Sequence, residues 1–265
     1  MPWQRKRTPK AEKSPIHENP VSLLRNIGVI GLSELEPVIL AALATEEPLL
    51  LIGPHGTGKS LLLTKIAEAL SLQFRHYNAS LLNFDDLVGF PLPDKDGALE
   101  YVTTPASIWG AETVIFDEIS RCRPDIQNKL FPIVHERRAQ GILLEGLRYR
   151  WAAMNPPASD DEDEGYIGSE PLDPALADRF AFVVNMPSWD RYTEAEQLAI
   201  IHTDGEAVPP DAADNLRRAI ASTRAALPSI KGSIGEAVAV YVRSVVALLA
   251  QAKISLSPRR AGMLL

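Results

Sequence analysis

One cysteine, Cys122, stands in 265 residues. That excludes an internal disulfide framework and a cysteine-based zinc site within one chain. Such sparse usage fits a reducing, cytoplasmic setting. An uninterrupted apolar run of about 18 residues is also missing, so no membrane-spanning segment and no membrane insertion are expected. Residues 1–20 lack the apolar stretch of a signal peptide. They are polar and rich in Lys, Arg and Pro, and read as a disordered N-terminal tail. Their basic cluster Arg5-Lys6-Arg7 is either a solvated end or a contact for an acidic partner. An excess of positive charge is absent too: 27 Lys and Arg against 34 Asp and Glu leave a net charge of -7. That balance does not favour nucleic acid or an anionic membrane as a partner.

What remains is the composition of a soluble globular chain, long enough for a real core in one large domain or two modest ones. Apolar positions at Leu35, Val38, Ile39, Ala42 and Leu43 have helical spacing, predicting a helix over 33–44. Leu49-Leu50-Leu51-Ile52 is a short continuous apolar run, as expected of a strand buried on both faces. A helix over 60–70, a strand over 74–78 and a helix over 80–88 follow. The turn Asp94-Lys95-Asp96-Gly97 and a strand over 99–104 predict a hairpin. Thr113-Val114-Ile115-Phe116 is a second buried strand. A helix over 124–138 carries Pro132, which should kink it. Residues 142–145 and 147–154 read as a second hairpin around Gly146, and 180–185 as the last strand. Strands alternating with helices argue for an α/β fold with a parallel sheet covered on both faces. After Pro187 only helices are expected, over 190–202, 211–226 and 234–252. The acidic run 160–164 reads as a solvated loop or, less simply, a carboxylate-rich metal site; its spacing does not match a calcium-binding hand.

Gly53-Pro54-His55-Gly56-Thr57-Gly58-Lys59-Ser60 is a full phosphate-loop pattern, lying between a buried strand and a helix start. Its glycines let successive N–H groups turn toward phosphate oxygens. The helix N-terminus that continues through Leu61 adds a favourable dipole. Lys59 supplies positive charge at the β and γ phosphates, and Ser60 a hydroxyl for Mg²⁺. His55 is unusual in such a loop and is expected to face solvent. The strand 113–116 ends in Asp117-Glu118, where ligands bind in open α/β sheets. Asp117 is the expected second Mg²⁺ ligand, through water, and Glu118 the base that activates the attacking water.

Two adjacent acids after that strand, with Asn155 at the end of the next (Ala152-Ala153-Met154-Asn155-Pro156), resemble the AAA+ ATPases. Leu172-Asp173-Pro174-Ala175-Leu176-Ala177-Asp178-Arg179-Phe180 is similar to the arginine-finger segment of the MoxR branch, and Ser257-Pro258-Arg259 to its sensor 2 motif. Asn83-Phe84-Asp85-Asp86-Leu87-Val88-Gly89, then a hairpin, looks like the helix-2 insertion of that clade. Asp117-Glu118-Ile119-Ser120-Arg121-Cys122 is similar to its Asp-Glu-Ile-Asn-Arg-Ala, with Ser120 and Cys122 as departures. Cys122 then reads as a small packing residue. Read without the family, Asn155 before Pro156 also suits a turn, Arg179 a salt bridge to Asp178, and Arg259 a solvated helix start.

The resemblance implies a P-loop NTPase domain over 21–187 and a small all-α lid over 188–265. The family's lid continues past sensor 2 whereas this chain stops at Leu265, so the lid is expected to be truncated. It also implies an ATP-hydrolysing ring, usually a hexamer, that remodels or activates a partner carrying a von Willebrand factor A domain. Asn155 would position the lytic water, Arg179 would reach a neighbour's ATP, and Arg259 would contact the nucleotide. The alternative class is a nucleic-acid-associated or restriction-type motor, against which the net charge speaks. Val29-Ile30-Gly31 is either the wall beside the base or a plain core entry.

Overall fold

The computed structural model describes residues 22–93, 95–97, 99–157, 172–203 and 207–263. The tail 1–20 and the acidic run 160–164 lie outside the described residues. Two helices, α1 (Leu23–Asn26) and α2 (Glu36–Thr45), precede β1 (Leu49–Ile52) and α3 (Lys59–Ala69). Next come β2 (Phe74–Asn78), α4 (Phe84–Val88), β3 (Phe90–Pro93), β4 (Leu99–Val102), β5 (Thr113–Asp117) and α5 (Pro124–Glu136). Then follow β6 (Arg138–Ala139), β7 (Ile142–Leu143), β8 (Tyr149–Met154), α6 (Pro174–Ala177) and β9 (Phe182–Asn185). Among the described residues the rest is helical: α7 (Glu194–Ile201), α8 (Pro210–Gln251) and α9 (Pro258–Met263).

The main sheet has five strands in the order β2-β5-β8-β1-β9. Every pairing in it is parallel. Alternate side chains of a strand face opposite ways, and here both faces are covered. Leu49, Leu51, Ile115, Trp151 and Ala153 pack on the side of α1, α2 and α3. Leu50, Val114, Phe116, Ala152 and Met154 pack on the side of α4, α5 and α6. This explains why β1 and β5 read as continuous apolar runs. The α/β architecture with helices on both sheet faces is the one expected.

Several local expectations are corrected. Strand 147–154 is not half of a hairpin: β8 is central, buried along its whole length, between β5 and β1. The second hairpin is instead β6 with β7, around Gln140 and Gly141, both at positive φ (52° and 78°), as a two-residue turn of the favoured twist demands. The helix expected over 80–88 is only α4. Asn78 Oδ1 accepts from Ser80 N at 3.0 Å and from Ser80 Oγ at 2.7 Å, holding a turn there. Asn83 then starts the helix in a reciprocal capping box with Asp86. Helix α5 runs through Pro132. The helices expected over 211–226 and 234–252 are one, α8, continuing through Pro228 for 42 residues.

Helix α8 is two different surfaces. Its first part joins the core through Ala212, Ala213, Leu216 and Ile220. Arg224 donates to Leu43 O and Ala44 O, both at 3.1 Å, and pairs with Glu46 at 3.0 Å. Later apolar residues, among them Ile234, Val240, Tyr241 and Leu248, are exposed. By length and composition α8 is apolar enough to cross a membrane. The expectation that no segment could do so rested on uninterrupted runs and overlooked it, because Arg243 and Ser244 break the run.

The β3–β4 hairpin stands off the main sheet, with Phe90, Leu92, Tyr101 and Val102 about half exposed. Its entry is Gly89, at φ 98°, where a Cβ would lie 2.7 Å from Val102 O. We expect Gly89→Ala to destabilise the protein by about 1–3 kcal/mol, the cost of one strained backbone position. A thermal melt reads this as a Tm lowered by several degrees, and an unchanged Tm would contradict the placement of the hairpin.

Candidate functional site

The sheet register brings the functional positions to one edge. Ile52 lies level with Met154 and with Asn185, so the segments following β1, β8 and β9 emerge together. Gly53 N donates to Met154 O at 3.2 Å. A Cβ on Gly53 would sit 2.7 Å from Met186 Cβ, so only glycine lets the loop leave the sheet between its neighbours. Gly56 and Gly58 turn it at φ 75° and 77°, conformations that glycine adopts without a Cβ clash. Thr57 Oγ1 donates to Pro54 O at 2.8 Å and closes the turn. His55 is exposed, as expected, and Leu61 on the first turn of α3 is 46 % exposed.

Lys59 is only 7 % exposed. Its ammonium donates to Gly53 O at 2.7 Å, Pro54 O at 2.8 Å and Asn155 Oδ1 at 3.1 Å. Burial lowers its pKa, opposed by the charges of Asp117 and Glu118. Asn155 is itself 3 % exposed. Ser60 Oγ donates to Asp117 Oδ2 at 2.5 Å, and His76 Nε2 lies 3.3 Å from the same oxygen. Burial acts to raise the Asp117 pKa, but hydrogen bonds from His76, Ser60 and the Glu118 amide prevail and hold it below the usual value. Glu118 sits at φ 56°, a left-handed position rare for a non-glycine residue, and its Oε2 lies 3.1 Å from Arg121 Nε.

Lys59, Ser60, Asp117, Glu118 and Asn155 are thus one constellation. His76 and Arg121 belong to it; His76 carried no signal in the sequence, and Arg121 stood only as a matching position of the 117–122 motif, with no role assigned. His76 reaches Asp117 because β2 pairs with β5, and Arg121 reaches Glu118 because a short 3-10 helix (Ile119–Arg121) follows at once. The donor set bears on a cation. Among the described residues no three acidic, histidine or cysteine groups cluster as a metal site. Ser60 and Asp117 therefore suit a hard cation such as Mg²⁺ only where phosphate oxygens and waters complete its shell.

Beside the loop opens a cavity of about 520 Å³. It is lined by Gly28, Val29 and Ile30, by Gly56 to Gly58, and by Tyr192 and His202. Tyr192 lies against Gly31, where a Cβ would meet its ring at 2.3 Å. Positively charged Arg25 and Lys65 line the cavity, and among the described residues no carboxylate does. An apolar slot next to a phosphate cradle has the shape and charge to take a base and its ribose.

Arg179 and Arg259 are held together in a second cluster, outside this constellation. The Arg179 guanidinium lies 4.4 Å from the Phe131 ring centre and Nη1 donates to Ala175 O, while Nε has no hydrogen-bond partner. Arg259 Nη1 lies 3.5 Å from Asp178 Oδ2. Burial and then the Arg259 charge lower the Arg179 pKa; burial followed by Arg259 and Arg179 lowers that of His135. Arg179 and Arg259 form a cationic cluster with Asp178 as the carboxylate bonded to it. Among the described residues the hydrogen bonds and ion pairs of Arg179 and Arg259 go to Ala175 and Asp178, not to Lys59, Ser60 or Asp117.

A family model for the AAA domain (dynein-related subfamily) matches residues 48–180. That span is half of the chain and runs from just before β1 to just past Arg179. No curated protein matches the sequence. Among solved structures, a proposed ATPase from Cytophaga hutchinsonii is similar, with a TM-score of 0.60 and 20% identity over 91% of this chain and 75% of that one. At that identity the likeness speaks for the fold.

The Lys59 geometry makes a direct prediction. Lys59→Met keeps the length of the side chain and removes its charge. We expect affinity for a nucleoside triphosphate to fall by about 10- to 100-fold, the worth of a charge-assisted hydrogen bond, with the circular dichroism spectrum unchanged. Titration with a fluorescent nucleotide measures it, and parental affinity would show that the phosphates bind elsewhere.

Proposed function

The chain belongs to the AAA-domain family, in its dynein-related subfamily, and from that premise we propose that it hydrolyses ATP within a ring of like subunits. The observation that carries this is the division of the charged residues. Lys59 is bonded to Asn155 and the adjacent Ser60 to Asp117, beyond the ends of β1, β5 and β8, whereas Arg259 is paired with Asp178 in a different cluster beside Arg179. One subunit then offers a phosphate cradle, and its neighbour the arginines.

In this reading Lys59 and the amides of the loop hold the triphosphate. Ser60 and Asp117 would hold Mg²⁺, which would supply positive charge to neutralise the phosphates. Glu118 takes a proton from the attacking water once its carboxylate leaves Arg121, and Asn155 orients that water. Asn155 accepts from Lys59, so the residue that senses the γ phosphate and the residue that binds it are already in contact. Arg179 meets the charge that develops on the neighbour's phosphate; its unpartnered Nε and the flanking Arg259 suit an anion.

The work done by hydrolysis is read as remodelling of a partner protein, in the manner of the MoxR branch, whose motifs the chain resembles at 83–109, 117–122, 172–180 and 257–259. A partner with a von Willebrand factor A domain is the one that resemblance favours. The half-exposed apolar side chains of the β3–β4 hairpin are the surface we assign to that contact.

Two measurements test the catalytic reading. Glu118→Gln should bind ATP with parental affinity yet turn over at least about 100-fold more slowly, as loss of a general base requires. Diluting the parent protein until it is monomeric should slow turnover per subunit by about 10³-fold or more, the scale of an arginine supplied in trans. Equal rates for Glu118→Gln and parent would remove the hydrolase reading. Equal rates for monomer and assembly would remove the role of the neighbour.

A further inference from the structure

The first turn of α9 is fastened to the segment that carries Arg179. Ser257 Oγ lies 2.9 Å and 2.7 Å from the two carboxylate oxygens of Asp178 and donates its single hydrogen there. The same Oγ accepts from Arg260 N at 3.0 Å, which caps the start of α9. Arg260 Nη1 donates to Ala177 O and to Phe180 O, both at 3.2 Å. Arg259 Nη1 completes the set with its ion pair to Asp178 at 3.5 Å. Five contacts therefore join residues 257–260 to residues 177–180, and Arg179 lies in the middle of the second stretch.

Resting on the ring-ATPase reading above, we propose that Asp178 is a positioning residue that, with Ser257, couples Arg179 and Arg259 into one unit presented to the neighbouring subunit's triphosphate. Two arginines side by side repel, and that repulsion opposes holding them together unless an anion intervenes. Asp178 is that anion: it is adjacent to Arg179 in the chain and is bonded to Arg259 and to the cap of α9. Its side chain is 21% exposed, so the pairing is only partly screened by water. It neutralises one of the two charges and leaves the other for a phosphate. The Arg259 ion pair is long enough to yield when a more highly charged triphosphate approaches, whereas the Ser257 and Arg260 bonds keep α9 docked. A helix that moves with α9 thereby moves the arginine finger, which joins the C-terminal helices to the neighbour's chemistry.

The test is turnover in mixed assemblies of the full chain. Asp178→Asn keeps the shape and one acceptor but removes the charge. Alone it should lower kcat about tenfold, a typical loss for a charge-assisted contact, with KM for ATP within about twofold of the parent, because its own cradle is intact. Mixed with excess Glu118→Gln subunits, which hydrolyse poorly but carry intact arginines, Asp178→Asn subunits should regain most of their rate. Arg179→Ala mixed with Glu118→Gln is the control and should regain its rate in the same way. A parental kcat for Asp178→Asn alone would overturn the proposal. So would a slowed Asp178→Asn that Glu118→Gln does not rescue while Arg179→Ala is rescued, since Asp178 would then act on its own subunit; the ring reading would survive. Failure to rescue Arg179→Ala as well would bring down the ring reading, and this proposal with it. Should Asp178→Asn not fold, Ser257→Ala removes only a hydroxyl, and about a threefold loss in kcat, rescued in the same mixture, is expected of it. An unchanged kcat for Ser257→Ala would contradict the coupling.

Discussion

The constraint on which the rest depends is the burial of one positive charge. An ammonium group withdrawn from water is costly unless acceptors surround it. Lys59 finds two of its acceptors in the carbonyls of its own loop, at Gly53 and Pro54, and the third across the sheet in Asn155. That third contact requires β1 and β8 to be neighbours with Ile52 level with Met154, as they are. The pairing in turn puts β5 on the far side of β8 and carries Asp117 to the same edge, where Ser60 can donate to it. Strand order, loop path and the grouping of functional side chains all meet in one lysine.

A second electrostatic arrangement is the counterpart of the first. Around the phosphate cradle a cation is surrounded by acceptors. In the second cluster the cations Arg179 and Arg259 crowd each other, and Asp178 is the carboxylate bonded to Arg259. Each arrangement carries positive charge that an anion would complement: the Lys59 ammonium beside its loop in one, Arg179 and Arg259 in the other. A triphosphate placed between two copies of the chain answers both, which is the physical content of the ring proposal.

The parts of this that were legible in the sequence are those encoded by consecutive residues. Gly53 to Ser60 form a loop whose geometry is local, and β1 and β5 declare themselves by apolar runs, the second ending in Asp117. Contacts that depend on the path of the chain were not legible. Strand 149–154 read as a hairpin because Gly146 stands before it, yet burial on both faces made it central. His76 has no marker except its place on β2, which is known only once β2 pairs with β5. Arg259 is held near Arg179 by its ion pair with Asp178 and by its neighbour Ser257, whose bond to Asp178 joins positions 79 apart in the chain, a separation no local pattern reports. The single long α8 was divided in two because Pro228, Gly232 and Gly235 are ordinarily helix breakers.

The claim at the centre of this account is that the ATP site is shared between two copies of the chain. It is tested most directly by determining the structure of the assembled protein with Mg²⁺ and a non-hydrolysable ATP analogue. The account predicts the Arg179 guanidinium within hydrogen-bonding distance, about 3 Å, of the γ phosphate held by Lys59 of a different subunit. An Arg179 still stacked on Phe131 and away from every phosphate, or one that reaches the nucleotide of its own subunit, would contradict it.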